Sequence, residues 1–139
     1  MYSIGYQEKN IDYFLEYLVS QNVQQLIDIR DYPNSRKKGF SKSKLSKHLK
    51  ERGIAYKHIP ELGTEKESRN NYKETGDLNQ LLADFEEKLN ENLSSLDELK
   101  ELLQYHASVI MCYEKDHREC HRQILECELE NEGFEVVHL

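Results

Sequence analysis

His106-Ala107-Ser108-Val109-Ile110-Met111-Cys112-Tyr113-Glu114, with Cys120-His121-Arg122 following a few residues on, is the stretch whose reading decides the fold. The run from Ala107 to Met111 is short and apolar, as a strand buried inside a sheet must be, and the spacing predicts a strand over His106 to Cys112. Asp116 to Glu132 reads as a helix. Asp116 and Glu119 have capping-box spacing, which would set its start beside Cys120. Two thiols, a carboxylate, an imidazole and a guanidinium thus gather at one strand-to-helix corner, where an α/β sheet opens its ligand crevice.

Working outward, the same alternation recurs. Tyr2 to Tyr6 reads as a strand ending at Gly5, and Asn10 caps a helix carrying Ile11, Phe14, Leu15 and Leu18 at helical spacing. Gln24 to Arg30 is a buried strand with Asp28 inside it. A loop with Pro33, Asn34, Ser35 and Gly39 leads to a helix capped near Ser41 or Ser43, which stops before Gly53. Gly53 to Pro60 forms a short third strand, and Glu61 to Gly76 reads as an irregular polar stretch, a flap over the crevice. Leu78, Leu81, Leu82, Phe85 and Leu89 mark one helix; Leu96, Leu99, Leu102 and Leu103 mark another; Phe134 to His138 is a fifth strand. Strands alternating with helices imply a single α/β domain over residues 1–139, with a mainly parallel sheet of about five strands and helices on both faces, in three layers. Gly5-Tyr6, Asp28-Arg30, His58 and Cys112-Glu114 all fall at the C-terminal ends of predicted strands, so four separate segments converge on one rim.

Composition narrows the class. Among 139 residues, three cysteines, none in a C-x-x-C pair, make a disulfide scaffold unexpected. No apolar run is long enough for a membrane span or leader, so a cytoplasmic protein without membrane contact is expected. The net charge of -7 hides a division: Arg30 to Lys57 holds ten basic residues against two acidic, while the remainder holds nine against 24. A basic face of that kind attracts phosphate even on an acidic protein, although a solvated lysine-rich helix has the same composition.

Ser3-Ile4-Gly5-Tyr6, Ile27-Asp28-Ile29-Arg30, Pro33 with Ser35-Arg36, Phe40, then Gly53-Ile54, Tyr56, His58, Pro60 and Leu62-Gly63, and finally Cys112-Tyr113-Glu114 with Cys120-His121-Arg122, follow one another in a specific order. In these marks, over nearly its whole length, the chain resembles the bacterial and archaeal domain-of-unknown-function family numbered four hundred and eighty-eight. It departs at Gln7 and Thr64, where the family favours a small polar residue and a second glycine. The resemblance implies a compact α/β fold and a shared polar cluster, and no assigned activity.

The residue chemistry suggests more. Arg30, Arg36 and Arg122 are the anion-binding candidates, because a planar guanidinium can hold phosphate bidentately and keeps its proton. Against this, Arg30 can pair with Asp28 on its own strand face, and Arg122 with a helix carboxylate. Glu114, just past a strand, is a candidate general base or nucleophile, with Asp28 as a second carboxylate, Tyr6 as hydroxyl donor and His58 or His121 as proton shuttle. Asp28 can equally be a buried acceptor for Arg30 or backbone amides.

Cys112 and Cys120 are candidate thiols. Cys112 to Arg118 has Cys-x5-Arg spacing, but Glu114 and Asp116 inside that loop would repel a bound oxyanion. Cys120, Ile124 and Cys127 share a helical stripe, which favours buried packing for both cysteines. His117, Cys120, His121 and Cys112 together have no standard zinc spacing, so no metal or cofactor is expected. The leading expectation is an enzyme acting on a phosphate-bearing nucleotide, nucleoside or nucleic-acid substrate, possible as a hydrolase or transferase. The alternative is a nonenzymatic nucleic-acid-binding module using the basic segment 30–57, and the third reading is a thiol redox or zinc protein.

Overall fold

Five short segments build one sheet in the computed structural model, which describes residues 1–139. They are β1 (Tyr2–Gly5), β2 (Gln25–Asp28), β3 (Ala55–His58), β4 (Ser108–Cys112) and β5 (Val137–His138). Every pairing is parallel and the order is β3-β2-β4-β1-β5. All of β2 and β4 is buried, as central parallel strands require. Six helices cover the sheet: α1 (Ile11–Ser20), α2 (Lys42–Glu51), α3 (Lys66–Thr75), α4 (Leu78–Glu91), α5 (Leu93–Tyr105) and α6 (Arg122–Asn131).

Strand periodicity of two sorts the core into two layers. Ile4, Leu26, Val109 and Met111 pack with Phe14, Leu18, Leu45 and Leu49 of α1 and α2 on one face. Ile27, Ile110 and Cys112 pack with Phe85, Leu99, Leu125 and Leu129 of α4, α5 and α6 on the other. The expected three-layer α/β fold is therefore the observed one. Asn10 caps α1 as its spacing predicts, its Oδ1 accepting from the Tyr13 amide at 2.8 Å. Ser41 precedes α2 without capping it; its hydroxyl accepts from the Ser35 amide and donates to the Ser35 carbonyl, each at 3.1 Å, which ties down the loop after β2.

Three expectations are corrected. The stretch from Glu61 to Gly76 is not irregular: a 3-10 turn over Pro60–Leu62 leads into α3, which Gly76 closes with a left-handed φ of 68°. Helix α3 buries no residue, so it has no apolar stripe to read. Asp116 to Glu132 is not one helix either. A 3-10 turn (His117–Glu119) is followed by Cys120 in extended conformation, φ -133° and ψ 151°, and α6 begins only at Arg122. Asp116 accepts from the Arg118 amide at 2.9 Å, so it closes that turn and caps no long helix. Finally, of the two cysteines expected to pack in one buried stripe, Cys120 is buried but Cys127 is exposed, because α6 begins only after Cys120 and the two do not share a helix.

The topology matters for the site. β4 lies between β2 and β1; those two continue into helices on one face, whereas β4 continues into α6 on the opposite face. Chain leaving to opposite sides opens a crevice above the C-terminal end of β4.

Candidate functional site

The crevice is a cleft of about 860 Å³, whose lining includes Tyr6, Arg30, Arg36, Cys112, Glu114 and His121. Two glycines allow its walls to close. A Cβ on Gly5 would lie 1.7 Å from the Glu114 carbonyl oxygen, so only glycine lets the chain after β4 cross the end of β1. That crossing is held by Tyr6 N to Cys112 O at 3.2 Å and Gln7 N to Tyr113 O at 2.8 Å. A Cβ on Gly63 would meet the Asp31 amide nitrogen at 2.2 Å, which brings the turn before α3 against the end of β2.

Arg30 stands on the cleft wall, but Asp28 already engages it. Asp28 is fully buried; its carboxylate accepts from Arg30 Nε at 2.9 Å, Arg30 Nη2 at 2.7 Å and the Arg30 amide at 3.1 Å. Tyr56 donates its hydroxyl to the same carboxylate at 2.6 Å. Asp28 thus makes the contacts of a buried acceptor, the alternative to its reading as a second catalytic carboxylate. It is the buried acceptor that fixes Arg30. Burial works against the Arg30 charge, and the hydrogen bonds and charge of Asp28 outweigh it, leaving its pKa raised. Arg30 Nη1 donates to the Tyr6 hydroxyl at 3.2 Å, which leaves the hydroxyl proton of Tyr6 free to donate into the cleft. The Tyr6 ring stacks on Phe40 with centroids 4.5 Å apart.

Arg122 also departs from its expected role. It is 1% exposed and does not line the cleft; Nη1 donates to Ser3 Oγ at 2.9 Å and Nη2 to the Glu114 carbonyl. Its guanidinium braces the segment that carries Glu114. Arg36 does line the cleft, from the exposed loop after β2. His58 is spent on structure, its Nε2 donating to the Arg30 carbonyl at 2.6 Å.

At the floor, Cys112 Sγ donates to Glu114 Oε2 at 3.3 Å and lies 2.7 Å from Cys120 Sγ. Cys120 Sγ is 3.5 Å from His121 Nδ1, and His121 Nε2 donates to the Ile29 carbonyl at 3.3 Å. These groups share protons unequally. Burial, and then the negative charge of Cys120, raise the Glu114 pKa; burial likewise raises that of Cys112. Cys120 is lowered: burial opposes its ionisation, but the Cys112 thiol and the charge of His121 overcome that cost. His121 is raised, the Cys120 thiolate outweighing its burial. Burial and the mutual charges thus favour the ionised form at Cys120 and His121 and disfavour it at Cys112 and Glu114.

Cys112, Glu114 and Cys120 bring ligand atoms within 4.8 Å of one another. Two thiolates on one tetrahedral zinc sit roughly 3.7 Å apart, given Zn–S bonds of about 2.3 Å. The two sulfurs stand 2.7 Å apart, closer than such a site needs. The four groups weighed for zinc do not converge, since His121 turns to the Ile29 carbonyl and His117 faces Glu126. Arg118 is exposed and bound to Asp116 at 2.7 Å, so no Cys-x5-Arg cradle forms.

Sequence reasoning missed one wall. Lys66, Arg69 and Lys73 of α3 line the cleft, at the i, i+3, i+7 spacing of one helix face. That periodicity of charge was the available signal. Tyr32 and Tyr113, 64% and 45% exposed, stand in the same lining.

No curated protein and no solved structure matches the chain. The model of a family described as Domain of unknown function DUF488 matches residues 10–129, leaving β1, Tyr6 and β5 outside the matched span although Tyr6 lines the cleft. Because that match takes in most of the 139 residues, the chain belongs to the DUF488 family.

Proposed function

We propose that the protein is an enzyme acting on a phosphate-bearing nucleotide, nucleoside or nucleic-acid end, with Glu114 as the proton-transfer residue. The observation that carries this reading is the lining of one cleft: five cationic side chains, Arg30, Arg36, Lys66, Arg69 and Lys73, against the carboxyl groups of Asp31 and Glu114. Cations from two separate segments favour an anion with several oxygens. Exposed Tyr32 and Tyr113 supply flat apolar faces for a base to stack on.

Glu114 serves best as a general acid. Burial, and then the negative charge of Cys120, shift its pKa upward, toward the protonated form that an acid needs, while the charge of His121 opposes them. Donating that proton to a leaving group while water attacks would be hydrolysis; an acceptor other than water would make it transfer. Tyr6 is placed to donate its hydroxyl to a substrate oxygen, with Arg30 holding it in position. Glu114→Gln should abolish turnover and leave ligand binding largely intact, as read by thermal shift with nucleotides, sugar phosphates and oligonucleotides. Equal loss of both would refute the assigned role.

One observation favours the nonenzymatic alternative. Lys42, Lys44, Lys47 and Lys50 are all exposed on α2, a surface suited to a nucleic-acid backbone. The two readings separate by charge reversal. Under the enzyme reading, Arg69→Glu with Lys73→Glu removes binding of a mononucleotide, while Lys44→Glu with Lys47→Glu leaves it intact. Oligonucleotide binding lost only with the α2 pair, together with no mononucleotide affinity, would favour the binding module.

A further inference from the structure

A second constellation lies away from the cleft, at the C-terminal edge of the sheet. We propose that His117, Glu126 and His138 form a binding site for a divalent transition-metal ion, zinc in particular. The three come from the 3-10 turn, α6 and β5, and their ligand atoms all lie within 4.8 Å of one another. His117 Nδ1 is 2.8 Å and His138 Nε2 is 2.9 Å from the same oxygen, Glu126 Oε2. With metal–ligand bonds of about 2.0–2.2 Å, the ligand atoms of a zinc site stand roughly 3–3.5 Å apart. A few tenths of an ångström of side-chain movement reaches that separation.

The carboxylate is built to face outward. Glu126 is 3% exposed, and its Oε1 accepts the Ser3 hydroxyl, which itself accepts from Arg122 Nη1 at 2.9 Å. Parallel pairing places His138 beside Ser3, and the Leu139 amide donates to the Ser3 carbonyl at 2.9 Å, holding the end of β5 in register. A ligand carboxylate oriented by a hydroxyl and a guanidinium is the outer-shell support that metal sites use.

Hydrogen bonding accounts for one of the two imidazoles, that of His138, whose Nε2 lies 2.9 Å from Glu126 Oε2. Their rings stack with centroids 3.9 Å apart and planes 27° from parallel, which presents both to the same carboxylate. His117 Nδ1 is buried and, despite its 2.8 Å separation from Oε2, lies off the line a hydrogen bond needs. That nitrogen has no hydrogen-bond partner; with its lone pair turned inward, an ion among the three groups would accept from all of them. Outside them opens a hollow of about 640 Å³, rimmed by Gln7, Glu119 and the ion pairs Lys115–Glu8 and Arg118–Asp116, with room for water as a further ligand. Two imidazoles, one carboxylate and an open position form a zinc donor set.

Untagged full-length protein, stripped with chelator, would be titrated with Zn²⁺ against a chromophoric competitor, and with Co²⁺ for its spectrum. One equivalent of Zn²⁺ should bind, and Zn²⁺ should raise Tm. His117→Ala and His138→Ala should each weaken binding at least ~10-fold while leaving Tm in chelator unchanged. Cys112→Ser should leave zinc affinity unchanged, and bound Co²⁺ should show no thiolate charge-transfer band. The proposal is overturned by absence of Zn²⁺ binding to the wild-type chain, or by affinity indifferent to both histidine substitutions. Loss in Cys112→Ser together with a thiolate band would equally overturn it, by assigning the ion to the sulfur pair.

Discussion

Replacing Asp28 by asparagine changes almost no volume and removes one charge, so its cost isolates the electrostatics of the cleft wall. Asp28 is fully buried and Arg30 only 7% exposed, and three hydrogen bonds from Arg30 plus one from Tyr56 converge on the carboxylate. Removing one partner of a buried pair leaves the other charge uncompensated, at about 3–5 kcal/mol. Because Arg30 lines the cleft, its guanidinium can turn toward water, which sets the expectation at the lower end, about 3 kcal/mol. For a chain of this length that is a fall in Tm on the order of 10 °C. Tyr56→Phe, which removes a single bond to the charged group, should cost about 1.5 kcal/mol. Urea unfolding followed by circular dichroism measures both, and repeating it in 1 M salt should change the Asp28→Asn cost little, since buried pairs are weakly screened. A cost below ~1 kcal/mol, or one that disappears in salt, would mean that Asp28 does not hold Arg30 and that the wall is not preorganised.

Gly5→Ala should destabilise by about 3 kcal/mol or more, since a Cβ 1.7 Å from the Glu114 carbonyl oxygen must displace backbone; unchanged denaturant midpoints would contradict the close crossing. Glu114→Gln should be at least as stable as wild type at neutral pH. The raised folded-state pKa means that folding penalises the ionised carboxylate; the penalty is absent below the unfolded value, develops as pH rises through the folded one, and is missing in the amide. The stability gap should therefore close as pH falls toward 4, and a gap of opposite sign in a pH series of melting curves would refute the burial argument. In native protein Cys127 should alkylate first and Cys120 only on unfolding, because Cys127 is exposed and Cys120 is 1% exposed; peptide mass mapping of labelled protein that found Cys120 modified first would show the floor of the cleft to be open.

What the sequence by itself determined was whatever burial writes locally. Leu26, Ile27 and Ile29 in one short run, and Val109 to Met111 in another, announce strands covered on both faces, and Phe14, Leu15 and Leu18 announce a helix lying on them. From those patterns a parallel sheet with helices on both faces follows, and with it the rim to which Tyr6, Arg30, Cys112 and Glu114 come together. Tertiary structure alone decided which charges meet. Periodicity records how deeply a side chain sits and is silent about its partner, so Arg122 gave no sign that Ser3, 119 positions away, would hold it, nor His138 that it would stand against Glu126. Helix α3 buries nothing, so apolar spacing could not reveal it. The extended turn at Cys120, which brings the two sulfurs together, depends on the chain crossing Gly5 and on Arg122 bracing Glu114, contacts between segments more than a hundred residues apart in part.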